Sequence, residues 1–253
     1  MMVVEVMQCH LASAVEKSVV TFTPTQEARI GEVAKDYLLA HPEVMSEISQ
    51  KQQALEEEKQ QQTMTTAVIQ HQTALLNDKG TPSYGPADAK VTVVEFFDYQ
   101  CIYCAHLAPE LEKVIKANPN VRFVFKELPI FGQHWPVSMS AAKTGLQIWQ
   151  QKGAKAYLKY HNIIYATGHN EGALTDQDIR TAANAVKFND SKAKDVQETL
   201  DGITTLAQQL GINGTPALIV IPSSGASIEN VKVILGFPQS NALQVAIDNA
   251  AGK

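Results

Sequence analysis

Two cysteines three positions apart, Cys101 and Cys104, are the residues of this 253-residue chain best placed to do chemistry. They follow an apolar, β-branched and aromatic run, VTVVEFF, and open a helical pattern that continues through Ala108, Leu111 and Val114. The first turn of a helix leaves N–H groups unpartnered, and the helix dipole favours negative charge there. A cysteine at that point is stabilised as its thiolate, so its pKa falls. The second cysteine lies one turn along on the same side, placed to form or resolve a disulfide with the first. The pattern predicts an exposed, reactive Cys101 that is alkylated below neutral pH, and a more buried Cys104 that is not.

Two other readings of the pair fit less well. Half of a zinc site requires a second ligand pair. The third cysteine, Cys9, is far away, and no His pair has finger spacing, so neither a metal nor a cofactor is assigned. A structural disulfide explains the pair but not its place after a buried strand, which is the setting of a redox motif.

FFDYQCIYC resembles the active-site segment of bacterial DsbA-like thiol:disulfide oxidoreductases, in the thioredoxin superfamily. A second marker lies downstream, where Gly214-Thr215-Pro216 precedes a strand at 217–222. In that superfamily a cis-proline precedes a strand and faces the cysteine pair. The resemblance runs from residue 82 to the C-terminus. It implies a thioredoxin-like α/β fold, a cis Pro216, and a substrate-binding loop formed by Thr215 and Pro216. Glu95 lies six residues before Cys101 inside an apolar strand, and Lys126 ends the next strand. DsbA-like proteins have a comparable Glu and Lys beneath the active site, which makes these two a candidate relay for the Cys104 proton. The bland alternative is a pair of strand-end charges reaching water. His106 reads as a helix-surface residue. Pro129, Phe131 and Trp135 fit a substrate groove or plain packing equally well.

The residues between the cysteines are Ile102-Tyr103, where strongly oxidising DsbA proteins carry Pro-His. The resemblance therefore implies a less oxidising poise, closer to an isomerase, and Thr215 before the proline points the same way.

The elements that must position this site follow in order. Strand 91–97, helix 101–117 and strand 121–127 form a βαβ unit, so the two strands should be parallel. Residues 129 to about 212 read as helices at 137–152, 154–166, 175–186 and 192–210, resembling the insertion that marks the DsbA branch. Strands 217–222 and 231–235 and a helix at 240–251 complete a ββα half. Ahead of them, 81–86 is a linker by composition, and 24–80 is a helical extension. Thr23 and Pro24 offer a helix start, His41-Pro42 a break, and Met64, Val68, His71 and Leu75 a thin apolar stripe. Such helices need a partner surface. The phrase YLLAHPEV resembles the N-terminal extension of the Com-type outer-membrane-antigen branch, in which the extension dimerises the protein. A solvated stalk is the alternative. Residues 1–23 read as a leader or a disordered N-terminus. Ala12-Ser13-Ala14 fits a cleavage site, while Glu5 and the lack of a basic start fit it badly.

Composition excludes little but is consistent. Net charge is −5, against nucleic acid as a partner, and no apolar run approaches the length of a membrane span. The expectation is a dimeric periplasmic enzyme, associated with the outer membrane if the Com-type likeness extends that far, that forms and isomerises disulfides in exported proteins. Its electrons would pass to or from a membrane partner of DsbB or DsbD type. A monomeric oxidase, or a chaperone-like surface protein with secondary redox chemistry, are the alternatives.

Overall fold

The apolar run ahead of the cysteines is the central strand of a five-stranded sheet. The computed structural model describes residues 21–253. Cys9 and the small-residue pattern at 12–14 lie outside the described residues. The strands are β1 (Ser83–Tyr84), β2 (Val91–Phe97), β3 (Arg122–Glu127), β4 (Ala217–Pro222) and β5 (Lys232–Leu235), in the order β1-β3-β2-β4-β5. The helices are α1 (Pro24–Ala40), α2 (Glu43–Gln70), α3 (Gln72–Leu76), α4 (Ile102–Ala117), α5 (Pro136–Lys152), α6 (Ala154–Ala166), α7 (Asp176–Ala185), α8 (Gln197–Gln209) and α9 (Ala242–Ala250). β2 and β3 are parallel, while β2–β4 and β4–β5 are antiparallel. This is the α/β arrangement the sequence predicts, with α5 to α8 inserted between β3 and β4.

All seven residues of β2 are buried, because helices cover both faces of the sheet. Val91, Val93 and Phe97 join one core with residues of α4, α6 and α9. Val94 and Phe96 point the other way, into a core shared with α8, α3 and the end of α2. Alternation along the strand places Glu95 on the first face, with Val93 and Phe97.

The chain divides into two units, Met1–Glu56 and Glu57–Lys253. In the first, α1 begins at a capping box: Gln26 N–H donates to the Thr23 hydroxyl, and Gln26 Oε1 accepts from Thr23 N–H. Pro42 cannot continue α1, and α2 starts at Glu43. No residue of α1 is buried, and Ile30, Val33 and Tyr37 are each about half exposed.

The boundary at 56/57 corrects the expected one at 80/81. Met64 and Val68 on α2, and Leu75 and Leu76 on α3, are buried against Val94, Phe96, Val124, Ile219 and Val233 of the sheet. The apolar stripe found in the sequence is therefore part of the domain core. Polar contacts fix the same segment. Lys126, with no exposed surface, donates to Asp78 Oδ2 at 2.7 Å and to Thr81 Oγ1 at 3.1 Å. Arg122 donates to the Leu76 carbonyl at 3.0 Å. The expected linker at 81–86 contributes β1, an edge strand antiparallel to β3.

Candidate active site

Cys101 occupies the N-cap position of α4, and Cys104 lies one turn inside the helix. The turn before it closes through a hydrogen bond from Cys101 N–H to the Asp98 carbonyl, 3.0 Å. Phe96 pairs with Ala217, so antiparallel β4 delivers the segment ahead of it to the end of β2, where the cysteines follow. That segment is Thr215-Pro216, joined by a cis peptide. The Cys101 thiol donates to the Thr215 carbonyl at 3.1 Å, bridging 114 positions of sequence.

Cys101 is 4% exposed. The expectation of an exposed thiol is corrected here: the sulfur is buried, with the Thr215 carbonyl against it. Its acidity survives that cover. A hydrogen bond from the Cys104 thiol, helped by the N–H groups of Cys104 and Tyr103, brings Cys101 down to about 6 against the opposing effect of burial. Cys104 goes the other way. It has no exposed surface, and burial, then the neighbouring Cys101 sulfur, push its pKa well above the usual thiol range. Both cysteines are free thiols. The pair thus holds one acidic nucleophile and one suppressed thiol, three residues apart across the first turn of α4.

Glu95 and Lys126 do not come together. In the β2–β3 register Glu95 stands opposite Phe125, and Phe96 opposite Lys126. Directly paired residues share a face, so the two charged side chains point to opposite sides of the sheet. Lys126 serves Asp78 and Thr81 on the far side from Cys104. The expected pair is therefore separated, and of the two only Glu95 lies on the face that carries Cys104. Glu95 is 2% exposed, neither carboxyl oxygen has a hydrogen-bond partner among the described residues, and burial pushes its pKa up to about 8. Its charge also acts on Cys104.

A carboxyl that the sequence reading passed over shares the face of Glu95. Glu127 pairs with Phe97, has no exposed surface, and accepts at Oε1 from Tyr157 (2.8 Å) and Tyr99 (3.1 Å). Burial raises its pKa well above the usual range, while those two hydroxyls pull the other way. The signal was in the alternation of RFVFKE: Phe123, Phe125 and Glu127 fall on one side, Val124 and Lys126 on the other. Asp98, also missed, is 1% exposed and accepts from Gln100 N–H, Phe131 N–H and the Ser138 hydroxyl at 2.7 to 2.9 Å. Its role is to tie the segment after β3 to the turn that carries Cys101. His106 lies exposed on α4, as the sequence reading has it.

The thioredoxin family model matches residues 76–223, and a model described as the copper resistance protein ScsC N-terminal domain matches residues 26–62. The structure of BcfH from Salmonella enterica Typhimurium superposes with a TM-score of 0.77 at 41% identity, covering 89% of this chain and 96% of that one. A periplasmic thioredoxin-like protein from the same organism gives a TM-score of 0.59 at 27% identity, over 72% of this chain and 96% of that one. Disulfide bond formation protein D of Bacillus subtilis is 26% identical over 187 residues, 67% of this chain and 77% of that protein. Two Salinispora Na(+)/H(+) antiporters are 25% identical over 142 residues, and there the match spans only 21% of the relative's length.

Proposed function

The chain belongs to the thioredoxin family, in its DsbA-like branch, and from that premise we propose that it is a periplasmic protein thiol–disulfide oxidoreductase with Cys101 and Cys104 as its redox pair. The observation that carries this reading is the opposed acidity of two adjacent thiols, one at about 6 and one pushed well above the usual range. A thiolate is both the attacking and the leaving species in thiol–disulfide exchange. In oxidation, a client thiolate attacks the Cys101 sulfur of the Cys101–Cys104 disulfide, and Cys104 leaves. A second client thiolate then attacks its partner sulfur and frees Cys101 as thiolate. In isomerisation, reduced Cys101 attacks a wrong client disulfide, and Cys104 provides escape by attacking Cys101. That escape requires the Cys104 proton to leave. Glu95, a buried carboxyl at about 8, suits this as an acceptor near neutral pH.

Thr215 and Pro216 form the client-binding loop in this account. The Thr215 carbonyl, already 3.1 Å from Cys101, is a backbone acceptor at the point where a client segment arrives. The clients are exported proteins with thiols or disulfides, and a membrane protein of DsbB or DsbD type resets the pair. The likeness to a periplasmic thioredoxin-like protein supports the compartment.

Isomerase activity is the finer part of the proposal, and it depends on self-association as a homodimer. The unburied apolar residues Ile30, Val33 and Tyr37 of α1 support a second copy as the partner of this unit. Two catalytic domains on one misfolded client gain from effective concentration. The test is a solution mass together with insulin reduction and refolding of a scrambled disulfide protein. The full chain is expected to run as a dimer and to do both. A chain lacking residues 1–56 should run as a monomer, retain dithiol oxidation and lose most isomerisation. A full-length monomer, or a trimmed chain that isomerises as well as the whole, would favour the monomeric oxidase instead.

A further inference from the structure

Gln100, the residue before Cys101, is fully buried although its side chain is a polar amide. The mechanism above gives it nothing to do. Its carbonyl oxygen accepts from Glu171 N–H at 3.0 Å, and its side-chain Oε1 accepts from Gly172 N–H at 2.9 Å. Its Nε2 has no hydrogen-bond partner among the described residues, where the side-chain amide is anchored through that one oxygen. Two successive N–H groups of one loop therefore converge on one residue. They can do so because Glu171 and Gly172 both take positive φ, 49° and 96°. Glutamate at positive φ is uncommon and costs energy, and such conformations cluster at working sites.

The same loop is braced from the other side. A Cβ on Gly172 would fall 2.8 Å from Trp135 Nε1, so the indole lies directly against the glycine. Trp135 N–H donates to the Phe131 carbonyl, and Phe131 N–H donates to Asp98. Asp98 and Gln100 thus hold two separate loops of the helical insertion, around residues 131–135 and 168–172, and these loops meet at Trp135 and Gly172. Both ends of the brace sit within three residues of Cys101.

We propose that Gln100 is a positioning residue that fixes the 168–172 loop as a wall beside Cys101, and that extended protein clients, unlike small thiols, bind against that wall. The inference rests on the redox reading above. A small dithiol reaches the sulfur without needing the wall, whereas a peptide chain lies across it. The wall acts before any bond changes: the client dithiol is then oxidised and the Cys101–Cys104 disulfide reduced by the same exchange as before.

The test compares dithiothreitol with a long peptide carrying two cysteines, both as reductants of the oxidised full-length protein. Gln100→Leu removes the acceptor for Gly172 N–H at nearly the same volume, and Gly172→Ala pushes a methyl into Trp135. Each is expected to raise the peptide KM by on the order of tenfold, the weight of about one hydrogen bond, with a much smaller effect on the dithiothreitol reaction and no change in the pH at which Cys101 ionises. Equal losses on both reductants, or an unaltered peptide KM in a folded variant, would overturn the inference while leaving the redox reading intact. Should Gln100→Leu fail to fold, Gly172→Ala carries the comparison alone. A wild-type chain that oxidises neither thiol overturns the redox reading, and the wall with it.

Discussion

Replacing Cys101 with serine is expected to reduce exchange with disulfides about a thousandfold or more, because among the described residues no second competent nucleophile stands at the site. At neutral pH a thiol at about 6 is mostly thiolate, whereas an ordinary cysteine near 8.5 is ionised to only a few per cent. Cys104 cannot substitute, since it has no exposed surface and its pKa is pushed well above the usual range. Cys104→Ser should behave differently. It should keep the first attack and accumulate the mixed disulfide through Cys101, visible as a covalent adduct on a non-reducing gel. The same acidity fixes a redox sign. Lowering the Cys101 pKa favours the folded dithiol over the disulfide. That advantage is fully present above the ordinary thiol pKa near 8.5 and is lost as pH falls through about 6. Measured against an ordinary dithiol couple at the same pH, the disulfide should therefore be the stronger oxidant at neutral pH, and that difference should shrink in acid. A Cys101→Ser chain that still reduces insulin would place the chemistry elsewhere.

Deleting residues 1–80 is expected to unfold the catalytic unit, whereas deleting residues 1–56 leaves it folded. The longer cut removes Met64, Val68, Leu75 and Leu76, all buried against the sheet. Burial of each such side chain contributes roughly 1.5–3 kcal/mol, so together they approach the whole stability of an ordinary domain, about 5–15 kcal/mol. It also removes Asp78, the carboxylate partner of a fully buried Lys126. Lys126 is buried but the Asp78 side chain is one third exposed, so losing this partner costs less than the about 3–5 kcal/mol of a fully buried pair. Asp78→Ala isolates that last contribution within the full chain, and adding Lys126→Met should recover most of it. Denaturant midpoints measure all of these. Equal midpoints for the two truncations would mean that residues 57–80 are not part of the core.

Most of the fold was legible because β2 and α4 carry strong, unlike periodicities. Strand 91–97 and the helix at 154–166 match their predicted bounds, and the parallel β2–β3 pairing follows from the helix between them. The extension was misjudged for a physical reason. Its polar stretch at 50–62 and the stripe at 64–75 lie on continuous helical sequence, and nothing local says that one half packs on a sheet nearly thirty residues later. Lys126 was misplaced because proximity along neighbouring strands was weighed without register. One residue of offset moves a side chain to the opposite face. Glu127 and Asp98 were missed since a lone acid at a strand end reads as solvated until its buried tyrosine, serine and backbone partners are known. Gln100 was invisible for the same reason, as its partners lie about 70 residues away.

The most direct test of the asymmetric thiol pair is the pH dependence of alkylation, read separately at Cys101 and Cys104 by peptide mass after brief exposure of the reduced protein to iodoacetamide. Cys101 should react with a midpoint at about 6, while Cys104 stays unmodified across neutral pH. Two cysteines that titrate together near 8.5, as free thiols do, would contradict the account.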